Sequence, residues 1–130
     1  MNIKLVLIVV VALVAAGILW LRSVRAEPTR DGLTIAQLKE AGADITKPHA
    51  IDFFFYLPSQ DAAHRIASRL AQFGLDTKVE HAATGPKWVI QGQKSMVPDE
   101  LELLILRKKF DDLAATEQGE YDGWGTEVVN

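Results

Sequence analysis

The hydrophobic pattern separates an apolar segment near the N-terminus from a longer region of mixed polarity. No residue from Leu5 to Leu21 is charged. At about 1.5 Å of rise per residue, a helix over this run is about 25 Å long, which with a snorkelling Lys4 is enough to cross a bilayer. Trp20 stands at its far end, where an indole favours the headgroup level. The pattern therefore predicts a short tail at residues 1–4 and a transmembrane helix at residues 5–21.

The same segment is also compatible with a cleaved signal peptide. Lys4 supplies a positive start, and Ala26 offers a small residue at a cleavage site. However, the apolar run exceeds the roughly 7 to 15 residues usual for a signal peptide, and Arg22 and Arg25 lie where a neutral cleavage region is expected. We therefore favour a retained single-pass helix that anchors the chain in a membrane.

Basic residues around the apolar run predict its orientation. One basic side chain, Lys4, precedes the run, and several follow it: Arg22, Arg25, Arg30 and Lys39. Because the cytoplasmic flank of a membrane span carries the excess of Lys and Arg, we expect the C-terminal region in the cytoplasm.

The region after the apolar run alternates between helix and strand patterns. A polar linker at residues 22–32 comes first. The next elements predicted are a short helix capped by Thr34 and stopped by Gly42, a strand at 51–57, and a helix from Ser59 to Phe73 ended by Gly74. Two strands follow, within 75–82 and 87–94. The last two elements are a helix at 98–118, opened by Pro98 with Asp99 and Glu100 in its first turn, and a final strand at 120–129.

The order of these elements predicts the fold class. After the short helix it is β-α-β-β-α-β, which commonly folds as a ferredoxin-like α+β sandwich with two helices on a four-stranded antiparallel sheet. We therefore predict one such domain at residues 33–130, preceded by the short helix and the transmembrane helix.

Alternation along the first strand predicts which side chains face the helices. These are Ile51, Phe53, Phe55 and Leu57. Asp52, Phe54 and Tyr56 then lie on the open face of the sheet. Outward aromatics on a central strand stack bases in RNA-recognition modules. Here, however, the residues after Ala26 include 17 acidic and only 11 basic side chains. Because this region is acidic, it would repel the phosphates of a nucleic acid. We expect the short helix or a protein partner, rather than nucleic acid, to cover Phe54 and Tyr56.

Catalytic and cofactor sites are not indicated. His49, His64 and His81 lie in three separate segments, and the chain has no cysteine. No glycine pattern typical of phosphate binding is present. We expect no enzyme activity, no metal site and no cofactor.

The end of the chain, EYDGWGTEVVN, combines two aromatics with two glycines. Regular alternation over this strand would put Tyr121, Gly123 and Gly125 on one face and Asp122, Trp124 and Thr126 on the other. Tyr121 and Trp124 either pin the terminal strand to the domain or contact a partner, and both interpretations are open at this point.

This ending resembles the motif Y-D-G-W-G-T of the regulator of ribonuclease E activity B (RraB-like) family. The motif residues are Tyr121, Asp122, Gly123, Trp124, Gly125 and Thr126. A second similar stretch, L-K-E-x-G-x-D-x-x-K-P before IDFFFYL, extends the resemblance over roughly residues 33 to 129. The resemblance implies a non-enzymatic protein that binds ribonuclease E and modulates RNA degradation as an inhibitor, through contact with the enzyme rather than with RNA. The membrane anchor predicted from residues 5–21 would place such a protein at the bacterial inner membrane.

Two sets of residues follow as candidates. Those for partner binding are Phe54, Tyr56, Tyr121, Asp122 and Trp124, and those that shape the motif are Gly123, Gly125 and Thr126. An exposed sheet edge also allows a homodimer. The alternative function is a periplasmic domain of the SPOR type, which shares the β-α-β-β-α-β order and binds peptidoglycan.

Overall fold

The predicted β-α-β-β-α-β order is confirmed in the computed structural model, which describes residues 29–130. The elements are α1 (Arg30–Glu40), β1 (His49–Leu57), α2 (Gln60–Leu70) with a 3-10 turn at Ala71–Phe73, β2 (Asp76–His81), β3 (Trp88–Met96), α3 (Glu100–Ala115) and β4 (Glu120–Thr126). The tail at 1–4 and the predicted transmembrane helix at 5–21 lie outside the described residues. Within residues 29–130, no helix has the length and hydropathy needed to cross a bilayer.

The four strands form one sheet in the order β2-β3-β1-β4. Each neighbouring pair is antiparallel, so the predicted α+β class with a four-stranded antiparallel sheet is confirmed. Strand β1 lies in the interior of the sheet and pairs with β3 from His49 to Leu57. Because β1 carries the most apolar run of the domain, this central place allows its inward side chains to be buried from every side.

The core lies between β1 and the helices, as the alternation predicted. The four inward side chains of β1 are completely buried: Ile51, Phe53, Phe55 and Leu57. Phe110 of α3 meets the rings of Phe53 and Phe55 at centroid distances of 5.2 and 5.3 Å, in edge-to-face geometry. Such pairs add about 0.5 to 1.5 kcal/mol beyond the burial of their area. These aromatic contacts fix α3 against the centre of the sheet.

Helix α2 has the ends that its sequence predicts. The Ser59 hydroxyl accepts a hydrogen bond from the backbone N–H of Ala62 at 3.1 Å, which caps the N-terminus. Gly74 adopts a left-handed φ of 81° just beyond the 3-10 turn, a conformation that favours glycine. The apolar stripe predicted on this helix, including Ile66 and Leu70, is buried in the core.

Helix α3 begins two residues later than predicted. Pro98 precedes the helix, and Asp99 is its N-cap rather than a member of the first turn, since its carboxylate accepts a hydrogen bond from the N–H of Glu102 at 2.9 Å. A short acidic side chain in an extended backbone conformation satisfies this N–H better than another helical residue would. The buried face predicted for this helix is otherwise confirmed at Leu103, Leu106 and Phe110.

Helix α1 begins four residues before the predicted cap, so Thr34 lies inside the helix. Residues 30–32, interpreted from their composition as linker, form its first turn. The difference has a tertiary cause, because Asp31 in this turn is buried and forms an ion pair with Arg107 of α3. The predicted stop at Gly42 is confirmed: its φ is 92°, and the N–H of Ala43 bonds back to the carbonyl of Leu38.

A β-bulge in β4 contradicts the predicted alternation of the final strand. Phe54 pairs with Gly123 but Phe55 pairs with Tyr121, so Asp122 is an extra residue in β4. Gly123 accommodates the bulge with a φ of 106°. As a result Tyr121 and Trp124, which strict alternation would separate, both lie on the helix-covered face.

Strand β4 ends at Thr126, three residues earlier than predicted. The residues after it bond to the loop between α1 and β1. The carbonyl of Val129 accepts the N–H of Asp44 at 2.7 Å, and the carbonyl of Asn130 accepts Nζ of Lys47 at 2.9 Å. The end of the chain is therefore held beside the C-terminus of α1.

The turn before β4 generates a first prediction, on Gly119→Ala. A Cβ at Gly119 would collide with Leu57 Cδ1 and lie 2.7 Å from the carbonyl oxygen of Tyr56. Because Leu57 is fully buried and the carbonyl is fixed in the sheet, relief requires a backbone shift. We expect the free energy of unfolding to fall by about 1 to 3 kcal/mol. Denaturant unfolding measures this loss.

Gly125→Ala is the matched control for that measurement. A Cβ at Gly125 would meet no atom within 4 Å. The stability of Gly125→Ala should stay close to that of the wild type, and equal losses in both variants would contradict the steric explanation.

Candidate protein interaction face

The sheet has a face directed away from the helices, which we call the open face. Strand register places its side chains in three rows that run across all four strands. The rows are Asp76, Gln93, Asp52 and Gly125; Lys78, Gln91, Phe54 and Gly123; and Glu80, Val89, Tyr56 and Glu120. The rows combine two aromatics and one valine with charged, amide and glycine positions.

Phe54 and Tyr56 form the aromatic centre of the open face. Both are half-buried, because neighbouring side chains of β3 shield their sides. The expectation that the short helix covers them is wrong, since α1 packs on the other side of the sheet. Its Ile35 belongs to the core, and its Asp31 bonds to Trp124 on the helix-covered face. Among residues 29–130, no helix covers the two outward aromatics, and both remain partly exposed.

Two glycines leave the β4 side of the open face without side chains. Gly123 stands beside Phe54, and Gly125 stands beside Asp52. A Cβ at either position would find no atom within 4 Å. The glycines thus form a strip without side chains, in which Gly123 is buried and Gly125 is half-buried, so another backbone or a flat ring would meet exposed main chain at Gly125.

A shallow depression lies on the β2 side of the same face. Its volume is about 180 Å³, and it is lined by Asp52, Asp76, Lys78, Gln91 and Gln93. Nε2 of Gln93 donates a hydrogen bond to Oδ1 of Asp52 at 3.1 Å, which orients both side chains. The three rows together hold four carboxylates and one ammonium group. The open face is therefore acidic, with two aromatics at its centre.

Tyr121 lies on the opposite side of the sheet, inside the core. Its ring packs against Phe55 and Phe110 at centroid distances of 5.1 and 5.4 Å. The Arg107 guanidinium lies 5.3 Å from the centre of the Tyr121 ring. Burial raises the pKa of the Tyr121 phenol well above its usual value, while the nearby Arg107 charge opposes the shift. Tyr121 is therefore a neutral core residue.

Trp124 is fixed by a buried carboxylate. Its Nε1 donates a hydrogen bond to Oδ1 of Asp31 at 3.0 Å. The same carboxylate accepts two hydrogen bonds from Arg107, from Nε at 3.0 Å and from Nη2 at 2.7 Å. These bonds raise the pKa of Arg107 further above its usual value. We call Asp31, Arg107 and Trp124 the Asp31 cluster.

A family model matches most of this chain. The family model of RraB, regulator of ribonuclease activity B, matches residues 29–126. This chain belongs to the RraB family. The matched range starts just before α1 and ends with the last residue of β4, so α1 and the Asp31 cluster are part of the RraB domain. A search of curated proteins finds no significant match.

The predicted site residues of this RraB domain occupy two different places. Phe54 and Tyr56 lie together on the open face, and Asp122 is exposed at the bulge on the sheet edge. Tyr121 and Trp124 lie on the helix-covered side, where they hold β4 to α1 and α3. The interpretation of the aromatic ending as a fastening of the last strand is the one that these contacts favour.

Sequence reasoning missed Asp31 and Arg107, the polar half of the Asp31 cluster. Asp31 stands in a stretch with linker composition, and Arg107 stands on a helix with many charges. One signal was present: Asp31, Ile35 and Leu38 recur at the spacing of one helix face, and all three are buried. A carboxylate on the same helix face as two buried apolar side chains is expected to be buried as well, and it then needs a basic side chain as a partner.

The histidines of the RraB domain lie in three different elements. His49 is buried at the start of β1, with Nδ1 2.8 Å from the carbonyl oxygen of Lys47. His64 is exposed on α2, and His81 packs against Trp88 at a ring distance of 4.2 Å. Across residues 29–130, no group of three His, Asp or Glu side chains is arranged to hold a metal ion.

The Asp31 cluster generates the second prediction, on Asp31→Asn. The change removes the negative charge and leaves the Arg107 guanidinium, only 20% exposed, without a counter-charge. A partly buried charge without a partner destabilises the folded state by more than the intact ion pair stabilises it. We therefore expect the free energy of unfolding to fall by about 2 to 3 kcal/mol. Thermal or denaturant unfolding of the purified protein measures it.

Asp112→Asn is the matched control for Asp31→Asn. Asp112 pairs with Lys108 at 2.9 Å, but both side chains are largely exposed, so water replaces the lost contact. A loss of stability in Asp112→Asn as large as in Asp31→Asn would show that burial is not the reason for the effect.

Proposed function

We propose that this RraB domain is a non-enzymatic regulator that binds ribonuclease E and lowers the rate of RNA degradation. The observation that carries the proposal is the family match over residues 29–126. The match covers every strand and helix from α1 to β4. A protein partner also agrees with a surface on which two aromatics lie among polar side chains.

The open face is the contact surface in this proposal. Protein interfaces are enriched in aromatic side chains that desolvate at the centre of the contact and have polar groups around them. Phe54 and Tyr56 have this position, because most side chains around them in the three rows are charged or amide groups. The aromatics of the helix-covered side are already used in the core.

Direct contact with RNA is not part of the proposal. Four carboxylates on the open face would repel the phosphate backbone around Phe54 and Tyr56. Stacking of bases on outward aromatics requires basic surroundings to hold the phosphates. Regulation by contact with the enzyme avoids this repulsion.

A membrane location completes the proposal. In it, the apolar run from Leu5 to Leu21 anchors the chain in the bacterial inner membrane, with the RraB domain in the cytoplasm. The charge of the flanking residues supports this orientation. The cytoplasm is also the compartment in which a ribonuclease acts on cellular RNA.

The third prediction concerns Phe54→Ala and the binding of ribonuclease E. The full-length protein in detergent, immobilised through a C-terminal tag, should retain ribonuclease E from a membrane extract and slow its cleavage of an RNA substrate. Phe54→Ala removes a ring from the centre of the contact, so we expect affinity to fall by about tenfold or more. Titration with purified ribonuclease E gives the affinity.

Leu101→Ala is the control for Phe54→Ala. Leu101 is an apolar side chain that is 65% exposed on α3, on the other side of the sheet from Phe54. It should bind as the wild type does. No retention of ribonuclease E by the wild-type protein would overturn the proposed partner, and equal losses in the two variants would overturn the assignment of the open face.

The fourth prediction concerns the orientation of the chain. A reporter that is active only in the cytoplasm should be active when fused after Asn130, and one that is active only in the periplasm should be inactive. The physical reason is the excess of basic residues after the apolar run. Activity of the periplasmic fusion instead would contradict the proposed contact with ribonuclease E, since the two proteins would be in different compartments.

A further inference from the structure

We infer that the open face binds an extended, arginine-bearing segment of a protein partner. One guanidinium enters the depression between Asp52 and Asp76, and the next lies over Phe54. This inference rests on the proposed function in so far as ribonuclease E supplies the segment. The chemistry of the face itself defines the class of ligand, whichever protein carries it.

The charge of the face favours a cationic ligand. Asp52 and Asp76 lie in the same row on either side of Gln93, and both line the depression. Among residues 29–130, neither carboxylate forms an ion pair, although Lys78 also lines the depression. A cation from outside the domain can therefore pair with both groups without displacing an existing ion pair.

The aromatics and amides select arginine over lysine. A guanidinium is planar, stacks on an aromatic ring and donates two parallel hydrogen bonds to a carboxylate, whereas an ammonium is a compact and strongly hydrated charge. Phe54 presents a half-buried ring in the row next to Asp52, and Tyr56 presents another in the row beyond it. The side-chain amide oxygens of Gln91 and Gln93 add acceptors for the remaining N–H groups.

The spacing of the rows selects an extended segment. Successive outward residues of β1 are about 6.6 Å apart, because each residue of a strand rises about 3.3 Å. A partner segment in extended conformation presents every second side chain at this same interval, so alternate arginines would match successive rows. Gly125 is half-buried, and a Cβ there would meet no atom within 4 Å, so the backbone of such a segment has room beside it.

Other ligands fit the face less well. Nucleic acid and anionic lipid both bring negative charge against four carboxylates. A second copy of this chain, applied face to face, would oppose the same carboxylates to each other. A basic protein segment is the class of partner for which charge, ring geometry and space agree.

The fifth prediction tests this ligand class with defined peptides. The full-length protein in detergent is titrated at low salt with a short peptide in which arginine alternates with serine, and with its lysine counterpart. We expect the arginine peptide to bind and the lysine peptide to bind at least about threefold more weakly, since only the guanidinium stacks well on Phe54. Isothermal titration measures both affinities.

Charge variants locate the binding. Asp52→Asn combined with Asp76→Asn should weaken binding of the arginine peptide by about tenfold or more. The matched control combines Glu40→Gln with Asp111→Asn, which removes the same charge from exposed positions on the helices. The control should bind the peptide as the wild type does.

Three results would overturn the inference. The first is no binding of the arginine peptide at low salt. The second is equal binding of both peptides together with equal losses in the two double variants, which would reveal general charge attraction. The third is binding of a single-stranded RNA oligonucleotide that competes with the peptide, which would make the open face a nucleic-acid site.

The same proteins distinguish this inference from the proposed function. If ribonuclease E is retained and the arginine peptide does not bind, the ligand class is wrong and the proposed partner stands. If the peptide binds at the open face and ribonuclease E is not retained, the ligand class stands and the partner is a different basic protein.

Discussion

One buried carboxylate, that of Asp31, holds three parts of the RraB domain together. Removal of a carboxylate from water costs several kcal/mol unless charge and hydrogen bonds compensate for it. Here Arg107 of α3 supplies two hydrogen bonds and the charge, and Trp124 of β4 supplies a third hydrogen bond. Because the cost of burying Asp31 is offset only when all three elements are in place, the cluster makes the docking of α1 depend on the position of the last strand.

The bulge in β4 divides the family motif between the two faces of the sheet. Tyr121 and Trp124 turn toward the helices, and Gly123 and Gly125 fall on the open face beside Phe54 and Asp52. The aromatics of the motif therefore stabilise the domain, while its glycines shape the surface opposite. A motif that looks like a single binding element in the sequence has two separate physical roles in the fold.

The sequence predicts well those features that depend on local pattern. Alternation at Ile51 to Leu57 identified the buried face of β1, and Ser59 with Gly74 marked the ends of α2. Prediction from the sequence failed where a contact between distant residues determines the local structure. The early start of α1 depends on Arg107, 76 residues away from Asp31, and no local signal specifies that pairing. The bulge was missed because strand periodicity assumes that each residue of β4 lies opposite one residue of the neighbouring strand. Only the pairing of β4 with β1 shows that Asp122 is an extra residue.

The position of Trp124 between the two glycines has a mechanical consequence. Its indole is bonded to the first turn of α1, the point at which the preceding chain enters the domain. Asp31 in that turn is joined to Trp124 by one hydrogen bond and to Arg107 by two, so any displacement of the turn would strain both connections. The start of α1, on one side of the sheet, and the glycines beside Phe54 and Asp52, on the other, are therefore held by the same short strand.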